Sequence, residues 1–218
     1  MTSTPPTLRV NEIVLTVQGE GTRAGLPCTL VRLTGCNLSC SWCDTPHART
    51  EGSALTLDEI LRRVAGLGCR RVEVTGGEPL IQPAAPELLR RLLRAGCQTL
   101  LETNGSIDLS PVERRVIKIV DFKCPSSGEA ASNCWQNVHH LTRRDEAKFV
   151  LSDREDYEFA RAAVARHGLL AKCAVIFSPV FGRLRPATLA GWILADGLDV
   201  RLGLQLHKLI WPDRDRGV

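Results

Sequence analysis

The repeated alternation of short β-branched runs with amphipathic stretches most narrows what this chain can fold into. An extended segment over residues 8–17 comes first. Strands are predicted over residues 29–34, 71–75, 98–102, 116–121, 147–151, 173–177 and 200–206. Helices separate several of them. Thr56-Leu57-Asp58-Glu59 is a capping box, and the helix it opens closes near Gly66-Leu67-Gly68. A second helix spans 84–95 and is stopped by Gly96. A third runs from its cap Asp153 to His167, before Gly168; a fourth starts at Pro186 and reaches Leu194. Such alternation implies a mainly parallel sheet with right-handed crossovers. Seven strands and four helices are too few for a complete eightfold barrel of about 250 residues. They suit an α/β chain built as a shortened, open, partial TIM-type barrel. No repeat, low-complexity stretch or linker breaks the chain, so a single domain over residues 1–218 is expected. Residues 124–145 lack periodicity and receive no predicted secondary structure.

Charge and cysteine content bound the function. The net charge is only +4, and the arginine pairs are scattered along the chain, which argues against direct nucleic-acid binding. No apolar run approaches the roughly 18 residues that span a bilayer, so no membrane association is expected. The opening residues show no basic segment followed by an apolar one. A cytoplasmic setting with reduced thiols is the expectation, and the nine cysteines then favour metal over disulfides.

Three of those cysteines fall in one loop. Residues 36–45 read CNLSCSWCDT, a C-x3-C-x2-C spacing formed by Cys36, Cys40 and Cys43. Thiolates are soft ligands, and a loop this short can aim three sulfurs at one centre. No fourth cysteine follows at matching spacing. On a four-iron cluster, three thiolates leave one iron without a protein ligand, and an open position distinguishes a reactive metal site from a structural one. A structural zinc site with Asp44 or His47 as fourth ligand is the competing reading. Cys28, Cys69, Cys97, Cys124, Cys134 and Cys173 read as small core residues.

Polar residues collect where the strands end. Gln18-Gly19-Glu20-Gly21 is a turn able to approach a ligand closely. Arg32 interrupts an apolar strand, either as an edge or buried-pair residue or as a ligand. Gly76-Gly77 frees main-chain groups, and Glu78 adds an acceptor for an ammonium. Asp121 and Lys123 flank Phe122 and point to one side, where they can grip a ribose or a carboxylate. Thr45 offers a hard oxygen suited to magnesium. Ser178 and His207 end the last two strands. In a parallel barrel all these ends share the face that carries active sites.

The cysteine loop followed by a TGGEPL motif resembles the radical S-adenosylmethionine enzymes. QGEG, the Arg32 strand, ETNG, DFK-x-P-S-S, FSPV and the ending LQLHKLIWPDRDRGV extend the likeness, over residues 18–218, to the 7-carboxy-7-deazaguanine synthase family. The resemblance implies a carbon–nitrogen lyase that contracts 6-carboxy-5,6,7,8-tetrahydropterin to 7-carboxy-7-deazaguanine with loss of ammonia, in queuosine and 7-deazapurine biosynthesis. It implies a [4Fe–4S] cluster, S-adenosylmethionine and Mg²⁺, an external electron donor such as flavodoxin or ferredoxin, and a homodimer.

Roles follow from the same likeness. Cys36, Cys40 and Cys43 would hold three irons. Trp42, Cys43, Asp44, Gly77, Glu78, Asp121, Phe122, Lys123 and Ser178 would hold the adenosylmethionine. Val17, Gln18, Gly19, Glu20, Arg32, Thr75, Glu102, His207 and the terminal Val218 would hold the pterin, with Glu20, Glu102 and His207 at the chemistry and Thr45 on Mg²⁺. Two other readings compete: a glycyl-radical activating enzyme, which needs a surface for a large protein partner, and a non-catalytic iron–sulfur or zinc protein with a closed four-ligand site.

Overall fold

A computed structural model of the chain describes residues 5–214 and 216–217. One sheet of nine strands organises it: β1 (Thr7–Val17), β2 (Pro27–Leu33), β3 (Ser53–Thr56), β4 (Arg71–Gly76), β5 (Gln98–Thr103), β6 (Ile117–Phe122), β7 (Glu146–Leu151), β8 (Ala174–Pro179) and β9 (Arg201–Leu202), in the order β3-β1-β2-β4-β5-β6-β7-β8-β9. β1 runs antiparallel to both β2 and β3; every pair from β2 to β9 is parallel. The sheet does not close on itself, which is the expected partial barrel.

Four helices follow their predicted bounds closely: α1 (Leu57–Gly66), α2 (Ala85–Arg94), α3 (Arg154–His167) and α4 (Pro186–Ala195). The Thr56–Glu59 capping box is formed, with the Thr56 hydroxyl accepting from Glu59 N and the Glu59 carboxylate accepting from Thr56 N. Asp153 accepts from Asp156 N at the start of α3, and Gly168 ends it in the left-handed region.

Three expectations change. β3 is a short edge strand that sequence patterning missed, because it runs straight into the cap of α1. The final strand shrinks from residues 200–206 to Arg201–Leu202, and a short helix α5 (Leu206–Ile210) takes over, so His207 sits on α5 rather than at a strand end. Residues 124–145 form three 3₁₀ turns, Pro125–Ser127, Ala130–Ser132 and Trp135–His140.

Period-two alternation sorts each strand. Val31, Val72, Val74, Leu101, Val120, Phe122, Ala147, Phe149, Val175 and Phe177 belong to the large apolar cluster that also takes in residues of the helices. The opposite faces of the strands present Arg32, Glu73, Thr75, Glu102, Asp121, Lys148 and Ser178 to a cavity inside the curved sheet. A filled TIM barrel packs this interior with branched aliphatics. Here, among the described residues, the inner buried apolar cluster is Leu100, Ile117 and Ile119.

The segment after β1 straps the open side. The Thr22 backbone N–H and hydroxyl donate to Glu146 at 3.1 and 2.5 Å, and Arg23 Nη1 bonds the same carboxylate at 2.7 Å. Glu146 is buried at the start of β7, so the strap reaches across the cavity. α5 lies on it through Leu206 N to Gly19 O, 2.9 Å.

Candidate active site

The cavity inside the curved sheet has a volume of about 390 Å³, with Cys36, Cys40 and Cys43 in one part of its wall and Arg32, Glu20 and Glu102 in another. All three thiols are free. Asn104 Nδ2 and Leu38 N approach Cys36 Sγ at 3.8 and 3.5 Å. The loop is held from outside by the 3₁₀ region that follows β6. Glu129 accepts from Ser39 N at 2.6 Å, Ser126 O accepts from the Ser41 hydroxyl at 2.8 Å, and the Ser126 hydroxyl accepts from Trp42 Nε1 at 3.3 Å. The segment without readable periodicity is thus the scaffold of the cysteine loop.

Gly76 and Gly77 both line the cavity, and they also fasten the cysteine loop. Gly77 N–H donates to Leu33 O at 3.3 Å and Glu78 N–H to Gly35 O at 2.8 Å. A Cβ on Gly77 would lie 2.6 Å from the Gly35 carbonyl carbon and 2.8 Å from Cys36 Cβ. The glycine pair seats the cysteine loop. Glu78 corrects an expectation. Its side chain is fully buried and accepts from Leu80 N, the Thr103 hydroxyl and Asn104 N at 2.7–3.0 Å, so it clamps the ends of β4 and β5 instead of offering a free acceptor to the cavity. Burial pushes its carboxyl up despite these donors. Phe122 is a second correction: its ring stacks on Trp135 and Phe149 in the apolar layer, on the side of β6 away from the cavity.

Its neighbours behave as expected. Asp121 and Lys123 both line the cavity and pair at 2.9 Å. Lys123 Nζ lies 5.6 Å above the Trp42 ring. Burial works against the Lys123 charge, yet Asp121 and the nearby Cys40 outweigh it and hold the amine above its ordinary range. Burial raises the Cys40 thiol, with Lys123 opposing. Asp121 Oδ1 is buried with no partner among the described residues. A buried acceptor left open is costly, and its residue lines the cavity, where a bound donor such as a ribose hydroxyl would satisfy it. Three free thiols and this open acceptor in one cavity fit an iron–sulfur cluster with a nucleoside cofactor.

The remaining wall is a charge network that sequence reasoning saw only in part. Lys148, on β7, places Nζ 2.9 Å from Glu20 Oε2, 2.6 Å from Glu102 Oε1 and 3.9 Å from Asp121 Oδ2. Thr75 donates to Glu102 Oε2 at 3.0 Å. Gln205 Nε2 donates to both Glu20 Oε1, 2.9 Å, and Asp44 Oδ2, 3.0 Å. Burial opposes the Asp44 and Glu102 charges, but nearby lysines and hydrogen-bond donors hold both carboxyls below their ordinary values. Glu73 goes the other way: burial, reinforced by Glu102, pushes it up to about 8. Gln18 donates its amide to Glu73, so the Gln18 side chain is committed inside the wall.

His207 lines the cavity from α5, against the strap. A Cβ on Gly19 would sit 3.2 Å from His207 Cγ and nearer still to Nδ1, which is why the strap carries glycine there. Burial lowers the His207 imidazole, with Glu20 and Asp44 opposing, so the neutral form is favoured. One oxygen each of Glu20 and Asp44 and one His207 nitrogen lie within 4.8 Å of one another. Arg32 answers both of its readings. Its Nε pairs with Glu12 at 2.7 Å, with both side chains mostly buried, and it also lines the cavity. Glu12 further accepts from Gly217 N at 3.1 Å, which brings the chain's end to Arg32. Val17, Thr45 and Ser178 line the wall as expected; Val218 lies outside the described residues. His47 is not on the wall and Asp44 is held by Gln205 and Lys208, so neither is presented to the thiols as the fourth ligand of a zinc site.

Lys148, Glu73, Glu12 and Gln205 are the residues that sequence reasoning missed. The signal was present for two of them. Glu73 in RVEVT and Lys148 in EAKFVL are charges at alternate positions of otherwise apolar strands, where a charge is retained only when it is paired.

Comparison with known proteins gives the same direction. Residues 30–124 match the family model described as the Radical SAM superfamily. The chain is 46% identical to the 7-carboxy-7-deazaguanine synthase of Chlorobaculum tepidum, covering 99% of this chain and 100% of that protein. It is 45% identical to the synthase of that name from Koribacter versatilis, covering 97% and 100%. The fold matches the crystal structure of QueE from Escherichia coli with a TM-score of 0.75 at 24% identity, over 91% of this chain and 94% of that one.

Proposed function

The chain belongs to the 7-carboxy-7-deazaguanine synthase family of radical S-adenosylmethionine enzymes, and we infer from that membership that it contracts the ring of 6-carboxy-5,6,7,8-tetrahydropterin to 7-carboxy-7-deazaguanine with loss of ammonia, in the queuosine pathway. The observation that carries this reading is the single cavity with a three-thiol part and a part walled by Arg32, Glu20 and Glu102. When bound, the cluster and S-adenosylmethionine supply the radical chemistry.

The chain's own residues position and shield. Cys36, Cys40 and Cys43 would hold three irons, with Asn104 and Leu38 donating toward the Cys36 sulfur. Trp42, Asp44, Gly77, Asp121, Lys123 and Ser178 would hold the adenosylmethionine, and the open Asp121 Oδ1 supports that assignment. Arg32, Glu20, Thr75, Glu102 and His207 would hold the pterin, with Val17 and Gly19 giving main-chain contact. The pterin's aminopyrimidinone edge is rich in N–H donors, which Glu20 and Glu102 accept; its carboxylate suits the Arg32 guanidinium. Mg²⁺ fits the hard hydroxyl of Thr45 beside Asp44, completed by substrate and water oxygens. Thr45→Ala should keep the cluster and weaken the response of turnover to added Mg²⁺.

The protein would draw electrons from a flavodoxin- or ferredoxin-type donor and act as a cytoplasmic homodimer. Exposed Leu194, Leu209 and Ile210 offer apolar surface for a second copy. Among the described residues, no helix is long and apolar enough to cross a membrane. The activating-enzyme reading is not favoured, because the relatives matched along their full length are synthases. Anaerobic reconstitution tests the cluster assignment. Cys36→Ala should lose the iron that wild type holds, Cys97→Ala should keep it, and equal loss in both would refute the assignment.

A further inference from the structure

We propose that Lys148 is a positioning residue of the reaction, whose ammonium ties Glu20 to Glu102 and fixes both as paired acceptors for the pterin. The proposal rests on the assignment of those two carboxylates to the pterin. Lys148 is buried on β7, and a buried ammonium is retained only where opposite charge compensates it. It reaches Glu20 at 2.9 Å and Glu102 at 2.6 Å, with Asp121 farther off at 3.9 Å. The second oxygen of each close partner is also held: Gln205 donates to Glu20, and the Thr75 hydroxyl donates to Glu102. Each carboxylate is therefore pinned at both oxygens, and its remaining lone pairs have a fixed aim.

Charge makes the arrangement depend on the lysine. Two carboxylates facing one another without a cation share a proton, as like charges do. One of them would then turn from acceptor to donor and lose its fit to the donor edge of the ring. The groups acting on this set are Arg32 from β2, Glu73 from β4, Glu102 from β5, Asp121 and Lys123 from β6, His207 and Lys208 from α5, Asp44 from the cysteine loop and Glu20 from the strap. Lys148 is no proton donor here, since Glu102, Glu20 and Asp121 hold its amine well above the ordinary lysine range even against burial.

The test uses the cluster-loaded enzyme with S-adenosylmethionine held saturating and 6-carboxytetrahydropterin varied, assayed across neutral pH. Lys148→Met should raise KM for the pterin about tenfold and move the acid limb of kcat/KM up by about one pH unit, while uncoupled cleavage of S-adenosylmethionine stays within about threefold of wild type. Lys148→Arg should restore part of the KM and leave the limb in place. An unmoved limb with unchanged KM overturns the proposal, and so does loss of uncoupled cleavage in step with turnover. Cluster-free protein gives an independent readout. The Tm deficit of Lys148→Met should shrink as pH falls below 4.5, through the value to which the lysine lowers the Glu102 carboxyl. A deficit constant in pH means packing alone and overturns the proposal. If Lys148→Met does not fold, Lys148→Arg decides: a raised KM with an unmoved limb supports the proposal, and wild-type KM or a moved limb overturns it. Wild type that makes no product from the pterin refutes the functional reading itself, which the Tm measurement on cluster-free protein tells apart from failure of the lysine's role.

Discussion

Substituting Gly77 by alanine puts a single methyl group between β4 and the cysteine loop. The added Cβ would meet the Gly35 carbonyl carbon at 2.6 Å and Cys36 Cβ at 2.8 Å, and the Gly35 oxygen closer still. Ordinary carbon–carbon contact is about 3.5–4.0 Å, so the two chains must part by about 1 Å. No flexible side-chain end can absorb this, because two of the atoms are backbone and the third carries a ligand sulfur. The displacement falls on the hydrogen bonds Gly77 N to Leu33 O and Glu78 N to Gly35 O, which fasten the loop. Overpacking of this kind costs about 1–3 kcal/mol. A 1 Å misplacement of a reacting group costs on the order of 100-fold in rate. The expected Gly77→Ala protein is therefore folded, with wild-type far-UV circular dichroism, but binds well under half the iron and shows at least a 100-fold loss of pterin turnover. Iron and sulfide analysis after anaerobic reconstitution reads the first effect and product chromatography the second. Gly191→Ala is the control. It lies inside α4 with nothing within 4 Å of the new carbon, so alanine there should stabilise by about 0.5–1 kcal/mol and leave iron unchanged. Wild-type iron and turnover in Gly77→Ala would refute the claim that this glycine seats the cysteine loop.

Three further substitutions probe separate parts of the molecule. Arg32→Ala removes the guanidinium and leaves Glu12 without it; a lost partner in a desolvated pair costs about 2–5 kcal/mol, so turnover should fall by roughly 30- to 5000-fold, with partial rescue by Arg32→Lys and persistent uncoupled cofactor cleavage. Normal turnover by Arg32→Ala would remove the arginine from the pterin site. Glu73 titrates at about 8 in the fold against 4.5 when free. The folded state thus holds an extra proton between those values, and Glu73 costs stability as pH rises through that window. Glu73→Gln should then gain Tm relative to wild type progressively from pH 4.5 to 8, and a pH-independent difference would contradict this. Thr56→Ala deletes the hydroxyl half of the capping box, leaving the Thr56 N–H bond to Glu59, and should cost about 1 kcal/mol, or roughly 2–4 °C in Tm; a calorimetric scan with no shift would show that the hydroxyl adds nothing.

What the sequence made legible follows from which signals are local. Helix ends were readable because caps are local chemistry: Thr56, Asp153, Gly168 and Pro186 stand where they act. The strands from β4 to β8 were readable because each is a run of apolar residues one face of which is buried. The final strand was overextended because residues 200–206 have the right composition, while the strap and α5 bonding at Gly19 decide the backbone there. Cys36, Cys40, Cys43, Arg32, Asp121 and Lys123 were found because motif spacing and strand-end position are visible along the chain. Glu78 and Phe122 were misread because a sequence does not show which side of a strand end is occupied: Glu78 turns inward to Thr103 and Asn104, and Phe122 falls on the face of β6 turned away from the cavity. Lys148 was passed over because its partners lie 46 and 128 residues away. Its strand looked complete as apolar packing.

A three-cysteine cluster site and a pterin site in one cavity should act together. Anaerobic turnover of 6-carboxy-5,6,7,8-tetrahydropterin by reconstituted, reduced enzyme with S-adenosylmethionine tests it most directly, with 7-carboxy-7-deazaguanine identified by mass spectrometry and ammonia quantified alongside. The expected result is one ammonia released per deazaguanine formed, abolished in Cys36→Ala. Cleavage of S-adenosylmethionine with the pterin recovered unchanged would contradict the account.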